Sequence, residues 1–130
     1  MGSGGIRRRL ALGAAVLAAS GALAFTATAT AQAASADGCA GREVRTLPFR
    51  TGVIHVYKRG DYVCAVTVAR NAGSVQSMSV SVQARGNRPV VDKGRYKHLA
   101  GPVTVNAGHR CVWIRGAVGA YSRSSGWILC

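Results

Sequence analysis

Negative charge is scarce in this sequence. Only four of its 130 residues are Asp or Glu, whereas 17 are Lys or Arg, and the formal net charge is +13 at pH 7. No Gly-x-Ser-x-Gly segment, no neighbouring pair of carboxylates and no nucleophile context is present, so we predict that the protein is not an enzyme. The side chains that a hydrolase could have used are Asp37, Asp61, Asp92, His55, His98 and His109.

The sequence also lacks an apolar run that could span a bilayer. The longest, from Leu10 to about Phe25, is shorter than the roughly 20 residues required. It follows Arg7–Arg9 and precedes the A-x-A site Ala31–Ala33, an order typical of a secretory signal peptide. We predict that residues 1–33 are removed and that residues 34–130 form one secreted domain without a transmembrane segment. That domain keeps 14 basic and four acidic residues, a net charge of +10.

Metal-ligand spacing is missing as well. No C-x2-C or H-x3-H pattern occurs, so we predict neither a metal nor another cofactor. An even number of cysteines in an exported domain instead predicts two disulfides. Cys39–Cys64 with Cys111–Cys130 is favoured because each bridge closes a short loop, and a Cys39–Cys130 bridge that ties the two ends together remains the alternative.

Residues 34–130 show no sustained helical period. Short β-branched segments separated by turn residues predict instead an all-β fold, a small antiparallel β-sandwich or partly open barrel of about eight short strands. The clearest strand is 77–84, in which apolar residues alternate with Ser and Gln. We predict that Tyr62, Cys64, Val66 and Val68 face inward, that 93–98 is a basic connection, and that 116–122 is a separate strand weakened by glycine.

A cluster of basic residues surrounds Tyr96. If the segment 94–98 is a loop, they form an exposed cationic and aromatic patch suited to phosphate or carboxylate polymers. The alternative is the ordinary solvated surface of a basic protein. Nucleic acid is not expected as the physiological ligand, because secretion separates the protein from it. The candidate binding residues are Arg85, Arg88, Lys93, Arg95, Tyr96, Lys97, His98 and Arg110.

The two tryptophans lie close to cysteines in the sequence. Trp113 is two residues from Cys111, and Trp127 is three residues from Cys130. We predict that one compact cluster contains both indoles and this pair of cysteines.

Gly94–Trp113 contains the pattern G-x-Y-x-x-x-A-G-P-V-x-V and then Cys-Val-Trp, and Ser125-Gly-Trp127 precedes the last cysteine. With these motifs the chain resembles the small secreted spore-associated protein A family of filamentous actinobacteria, over nearly all of residues 34–130. The resemblance implies an exported protein found with spores or aerial hyphae, and it brings no catalytic residue with it.

These features together predict a secreted, non-enzymatic, strongly basic protein. We expect it to associate with the spore or cell-envelope surface by binding anionic polymers. The alternative is a secreted inhibitor or cationic antimicrobial protein that acts on other proteins or membranes, supported only by a rigid exposed loop at 94–99. The sequence leaves the oligomeric state open.

Overall fold

The computed structural model describes residues 37–130, and the predicted signal peptide, 1–33, lies outside this part. Eight strands and no helix occur in residues 37–130. The prediction of an all-β fold with about eight short strands is therefore confirmed. The strands are β1 (Arg42–Phe49), β2 (Gly52–Arg59), β3 (Tyr62–Ala69), β4 (Gln76–Ala84), β5 (Val90–Tyr96), β6 (Leu99–Asn106), β7 (Val112–Val118) and β8 (Tyr121–Ile128).

The strands form two four-stranded antiparallel sheets. The first sheet has the order β1-β2-β3-β6, and the second has the order β5-β4-β7-β8. Their inner faces pack on a shared apolar core, so the architecture is a sandwich and not a closed barrel. Within residues 37–130 no helix has the length and apolarity needed to cross a membrane.

Strand β4 has the two-sided character that its alternating sequence predicts. Met78, Val80, Val82 and Ala84 are buried in the core. The intervening Ser and Gln side chains lie on the opposite face of the second sheet, because successive residues of a strand point to opposite sides.

The inward face of β3 differs from the prediction. Val63 and Ala65 belong to the central core, whereas Cys64 and Val66 pack with Cys39 in a second apolar cluster on the outer face of the first sheet. Both faces of β3 are apolar because the segment 37–41 covers the outer one. The period of two therefore does not reveal which face points inward.

Two predicted boundaries also change. Strand β5 extends to Tyr96, so the segment expected to be a basic loop is mostly an edge strand paired with β4, and only Lys97 and His98 lie between β5 and β6. Strand β7 continues through Gly116, where an added Cβ would collide with Thr67 Oγ1. This glycine permits close packing of the two sheets and does not end a strand.

Both favoured disulfides are present. Cys39–Cys64 holds the segment 37–41 against the first sheet, with the two Cα atoms 5.7 Å apart. Cys111–Cys130 joins the residue before β7 to the end of the chain after β8. The pairing prediction is confirmed, and the alternative Cys39–Cys130 bridge is not formed.

Candidate functional site

A shallow groove of about 580 Å³ crosses the outer face of the second sheet. We call it the outer groove. Strand β4 supplies its centre, β5 borders it on one side, and β7 and β8 border it on the other. Its polar and charged lining consists of Ser79, Ser81, Gln83, Lys93, Arg115 and Ser122, and its main apolar lining consists of Val91, Pro89, Trp113 and Trp127.

The strand register places these side chains in cross-strand rows. Ser79 lies opposite Lys93 on β5, and Ser81 lies opposite Arg115 on β7. The two cations therefore flank the serine hydroxyls from opposite sides. Both serines are half-buried, and neither hydroxyl has a hydrogen-bond partner within residues 37–130, so both remain available to a ligand.

Gln83, Trp113 and Trp127 form the next row. The Gln83 Nε2 donates to the Asn87 carbonyl oxygen at 2.9 Å, which orients the amide and leaves its oxygen free to accept. The two indole centroids are 5.3 Å apart with their planes at 81°, an edge-to-face contact. The predicted pairing of the two indoles is confirmed.

Two arginines contact these indoles. The guanidinium carbon of Arg85 lies 4.6 Å from the centroid of Trp127, and that of Arg115 lies 6.0 Å from the centroid of Trp113. These are cation–π distances, so each ring helps to hold a positive charge beside the outer groove. Trp127 is 37% exposed, so it also offers apolar surface to a ligand.

No acidic side chain opposes this charge. Asp92 faces away from the outer groove, where its carboxylate accepts hydrogen bonds from Tyr96 Oη and, at 2.7 Å, from the Gly101 N–H. Asp37 accepts from Tyr57 Oη at 3.2 Å on the first sheet. Within residues 37–130 no carboxylate forms an ion pair with a lysine or an arginine.

The ion pair present in the described part of the chain joins Glu43 and His55, on the outer face of the first sheet. Glu43 Oε2 lies 2.6 Å from His55 Nδ1 and also accepts from the Thr46 hydroxyl. Burial acts to raise the pKa of Glu43, but the hydrogen bonds from His55 and Thr46 and the charge of His55 together lower it below 4.5. The Glu43 carboxylate therefore already has partners, and it lies on the side of the molecule opposite the outer groove.

Four of the eight predicted binding residues lie at or next to the outer groove. Lys93 lines it and Arg85 stacks on one of its rings. Arg95 is opposite Ser77 on the same face, one row further along β5. Arg88 is exposed in the turn that precedes Pro89.

The other four lie elsewhere. Lys97 and His98 are exposed between β5 and β6. Tyr96 packs against the core, and its hydrogen bond to Asp92, its burial and the Asp92 charge all raise its pKa above 10.0. Arg110 donates to the carbonyl oxygens of Ala107, Asn106 and Arg85, so its guanidinium holds the loop between β6 and β7.

Sequence reasoning missed the polar floor of the outer groove. The alternation along β4 indicates that Ser79, Ser81 and Gln83 point outward. The spacing of two between Trp113 and Arg115 is the signal that could have placed them on one face of a strand. What was missing was the pairing of β4 with β7, which joins residues between 28 positions (Ala84 and Val112) and 40 positions (Met78 and Val118) apart.

No group of three or more His, Cys, Asp or Glu side chains that could hold a metal ion occurs in residues 37–130. Comparison with known proteins adds no assignment: no family model matches the chain, and no curated protein or solved structure matches it. The resemblance to the spore-associated family stays a prediction.

Proposed function

We propose that this is a secreted, non-enzymatic protein retained on the spore or cell-envelope surface by anionic polymers, with the outer groove as its contact surface. The observation that carries the proposal is a sheet face that carries cations and no acidic side chain. Lys93, Arg95 and Arg115 share one sheet face on which no acidic side chain lies. Such a surface attracts polyanions at low and moderate salt.

The composition of the outer groove favours binding over hydrolysis. A serine nucleophile requires a base within hydrogen-bond reach. The described lining contains serines, but it contains no histidine and no carboxylate. The two disulfides are consistent with an extracellular or otherwise oxidising destination.

The alternative of an inhibitor or antimicrobial protein loses its structural support. It depended on a rigid exposed loop at 94–99. In the structure this segment is the end of β5, two residues between strands and the start of β6. No observation on the described surface favours it over retention by charge.

The test is retention of the purified, oxidised protein on washed spores and isolated cell walls during a salt titration. We expect release at modest salt, because such contacts are screened within about 10 Å at 0.1 M. The double variant Lys93→Gln/Arg115→Gln should be released at clearly lower salt than the parent. The matched control Arg42→Gln/Arg59→Gln removes the same charge from the first sheet and should shift release less.

Two results would contradict the proposal. Retention that persists in molar salt would exclude attraction by exposed charge. Equal shifts for the two double variants would show that the outer groove is not the contact surface.

A further inference from the structure

We infer that the outer groove binds a linear polysaccharide built from uronic acid rings, that is, pyranose sugars that each carry a carboxylate. This inference rests on the proposed function and gives the chemical class of the polymer. Three features of the same face support it: apolar ring surface, unpaired hydroxyls and unpaired cations.

The apolar part of the outer groove suits a ligand with rings. Trp113 and Trp127 form an edge-to-face corner at one end, and Val91 of β5 adds a 55% exposed aliphatic side chain. The C–H faces of a pyranose pack well on such surfaces, since aromatic and aliphatic side chains dominate small-molecule sites. A polyol phosphate chain has charge but no ring to place there.

The polar part of the outer groove suits sugar hydroxyls. Ser79 and Ser81 present hydroxyls that can donate or accept, and Gln83 presents a carbonyl oxygen. These groups are half-buried between neighbouring strands and are held by the sheet, so little side-chain freedom is lost when a ligand binds.

The charged part of the outer groove suits carboxylates repeated along the chain. Lys93 and Arg115 stand on either side of the serines, one row apart, and neither has an acidic partner in the described part of the chain. Lys93 on β5 and Arg115 on β7 are two strand spacings apart, roughly 10 Å at the usual spacing, which is longer than one sugar ring. A chain with a carboxylate on each ring can therefore reach both cations.

Single-stranded nucleic acid also combines rings with negative charge. It usually binds where successive bases stack on separate aromatic side chains along a basic groove. Here both indoles lie at one end, in contact and nearly perpendicular, so they do not offer a series of parallel platforms. The hydroxyl floor beside them favours the sugar ligand.

The test is a fluorescence titration of the oxidised protein, because its two tryptophans both line the outer groove. The probes are oligogalacturonate, its methyl ester, polyglutamate and oligothymidylate. We expect a saturable signal with oligogalacturonate, and affinity on the order of tenfold weaker for each of the other three. Trp127→Ala should weaken oligogalacturonate binding on the order of tenfold, as truncation of an aromatic anchor does, whereas Trp127→Phe should retain most of it.

Ser79→Ala/Ser81→Ala tests the hydroxyl floor, and Ser77→Ala is its control on the same face of β4 outside the outer groove. We expect severalfold weaker binding only for the double variant. Thermal unfolding of every variant shows whether it is folded.

Different results would contradict this inference and the proposed function. Equal binding of polyglutamate, or no effect of Trp127→Ala, would overturn the requirement for rings while leaving salt-sensitive retention on cell walls intact. Equal binding of the methyl ester would overturn the requirement for carboxylates. Tighter binding of oligothymidylate would assign the outer groove to nucleic acid. Oligogalacturonate binding without retention on walls or spores would support the inference and overturn the proposed function.

Discussion

Thr67 is an unusual residue in the core between the sheets. It is completely buried, and its hydroxyl has no hydrogen-bond partner in the part of the chain that the structure describes. The hydroxyl lies against Gly116 of the facing sheet, at a point where any larger side chain would collide. A buried hydroxyl without a partner costs free energy, because it has lost its hydrogen bonds to water.

We therefore expect Thr67→Val to stabilise the protein by about 1 kcal/mol, since valine has a similar shape and no polar group. Chemical unfolding followed by tryptophan fluorescence measures the change. Thr104→Val, at an exposed position on β6, should change the free energy of unfolding by no more than about 0.5 kcal/mol. A loss of stability in Thr67→Val would show that the hydroxyl forms a bond inside the core.

Individual residues were predictable where their chemistry determines their partner. The cysteines were paired correctly, and Trp113 and Trp127 were placed together. Arg110 was grouped with the binding residues because of its charge, but its partners are backbone carbonyl oxygens. Those oxygens converge only after the loop between β6 and β7 has formed, so the sequence contains no signal for them.

At the scale of the strands, β8 depends on a covalent bond at its end. It is an edge strand of the second sheet, it carries Trp127, and Cys111–Cys130 ties the chain beyond it to the start of β7. We expect this bridge to hold the two indoles in contact. It also keeps the end of an edge strand from separating.

The double variant Cys111→Ser/Cys130→Ser should lose about 3 kcal/mol of stability, the usual value for a bridge of this span. It should also lose near-ultraviolet circular dichroism, because Trp113 and Trp127 would separate. The control Cys39→Ser/Cys64→Ser removes a bridge that closes a loop of similar length, and it should lose comparable stability with the tryptophan signal unchanged. An unchanged signal in both variants would mean that packing alone holds the indoles together.

Some strands were predictable and others were not, for a physical reason. Strand β4 has one buried and one exposed face, so its alternation is clear. Strand β5 lies at the edge of the second sheet, where charged residues are tolerated, and Lys93 and Arg95 therefore gave it the composition of a loop. Gly116 suggested a weak strand because its role, close approach to Thr67, becomes visible only when the two sheets are packed.

At the scale of the whole molecule, the charge is unevenly distributed. The outer face of the second sheet carries unpaired cations around both tryptophans, whereas Asp37 and Glu43 are engaged on the first sheet. The net charge of the domain was predictable by counting residues. The absence of acidic side chains from the outer face of the second sheet was not, because that depends on which strands pair and which way their side chains point.

We expect iodide to quench tryptophan fluorescence severalfold more strongly than caesium does at low ionic strength. The positive field around the indoles concentrates anions and repels cations. Lys93→Gln/Arg115→Gln should reduce the difference, and quenching by neutral acrylamide should stay the same. Stronger quenching by caesium would show that the field around the indoles is not positive.

The Cys39–Cys64 bridge lies on the side of the molecule that faces away from the outer groove. It fixes Asp37 and the residues beside it on the outer face of the first sheet, with the core and the second sheet between them and the outer groove. A molecule that adheres through the groove therefore presents this bridged side to the medium. A dye, an affinity handle or an enzyme joined just ahead of Asp37 would therefore leave the outer groove clear, and the fold itself would set the orientation of a domain bound through that groove.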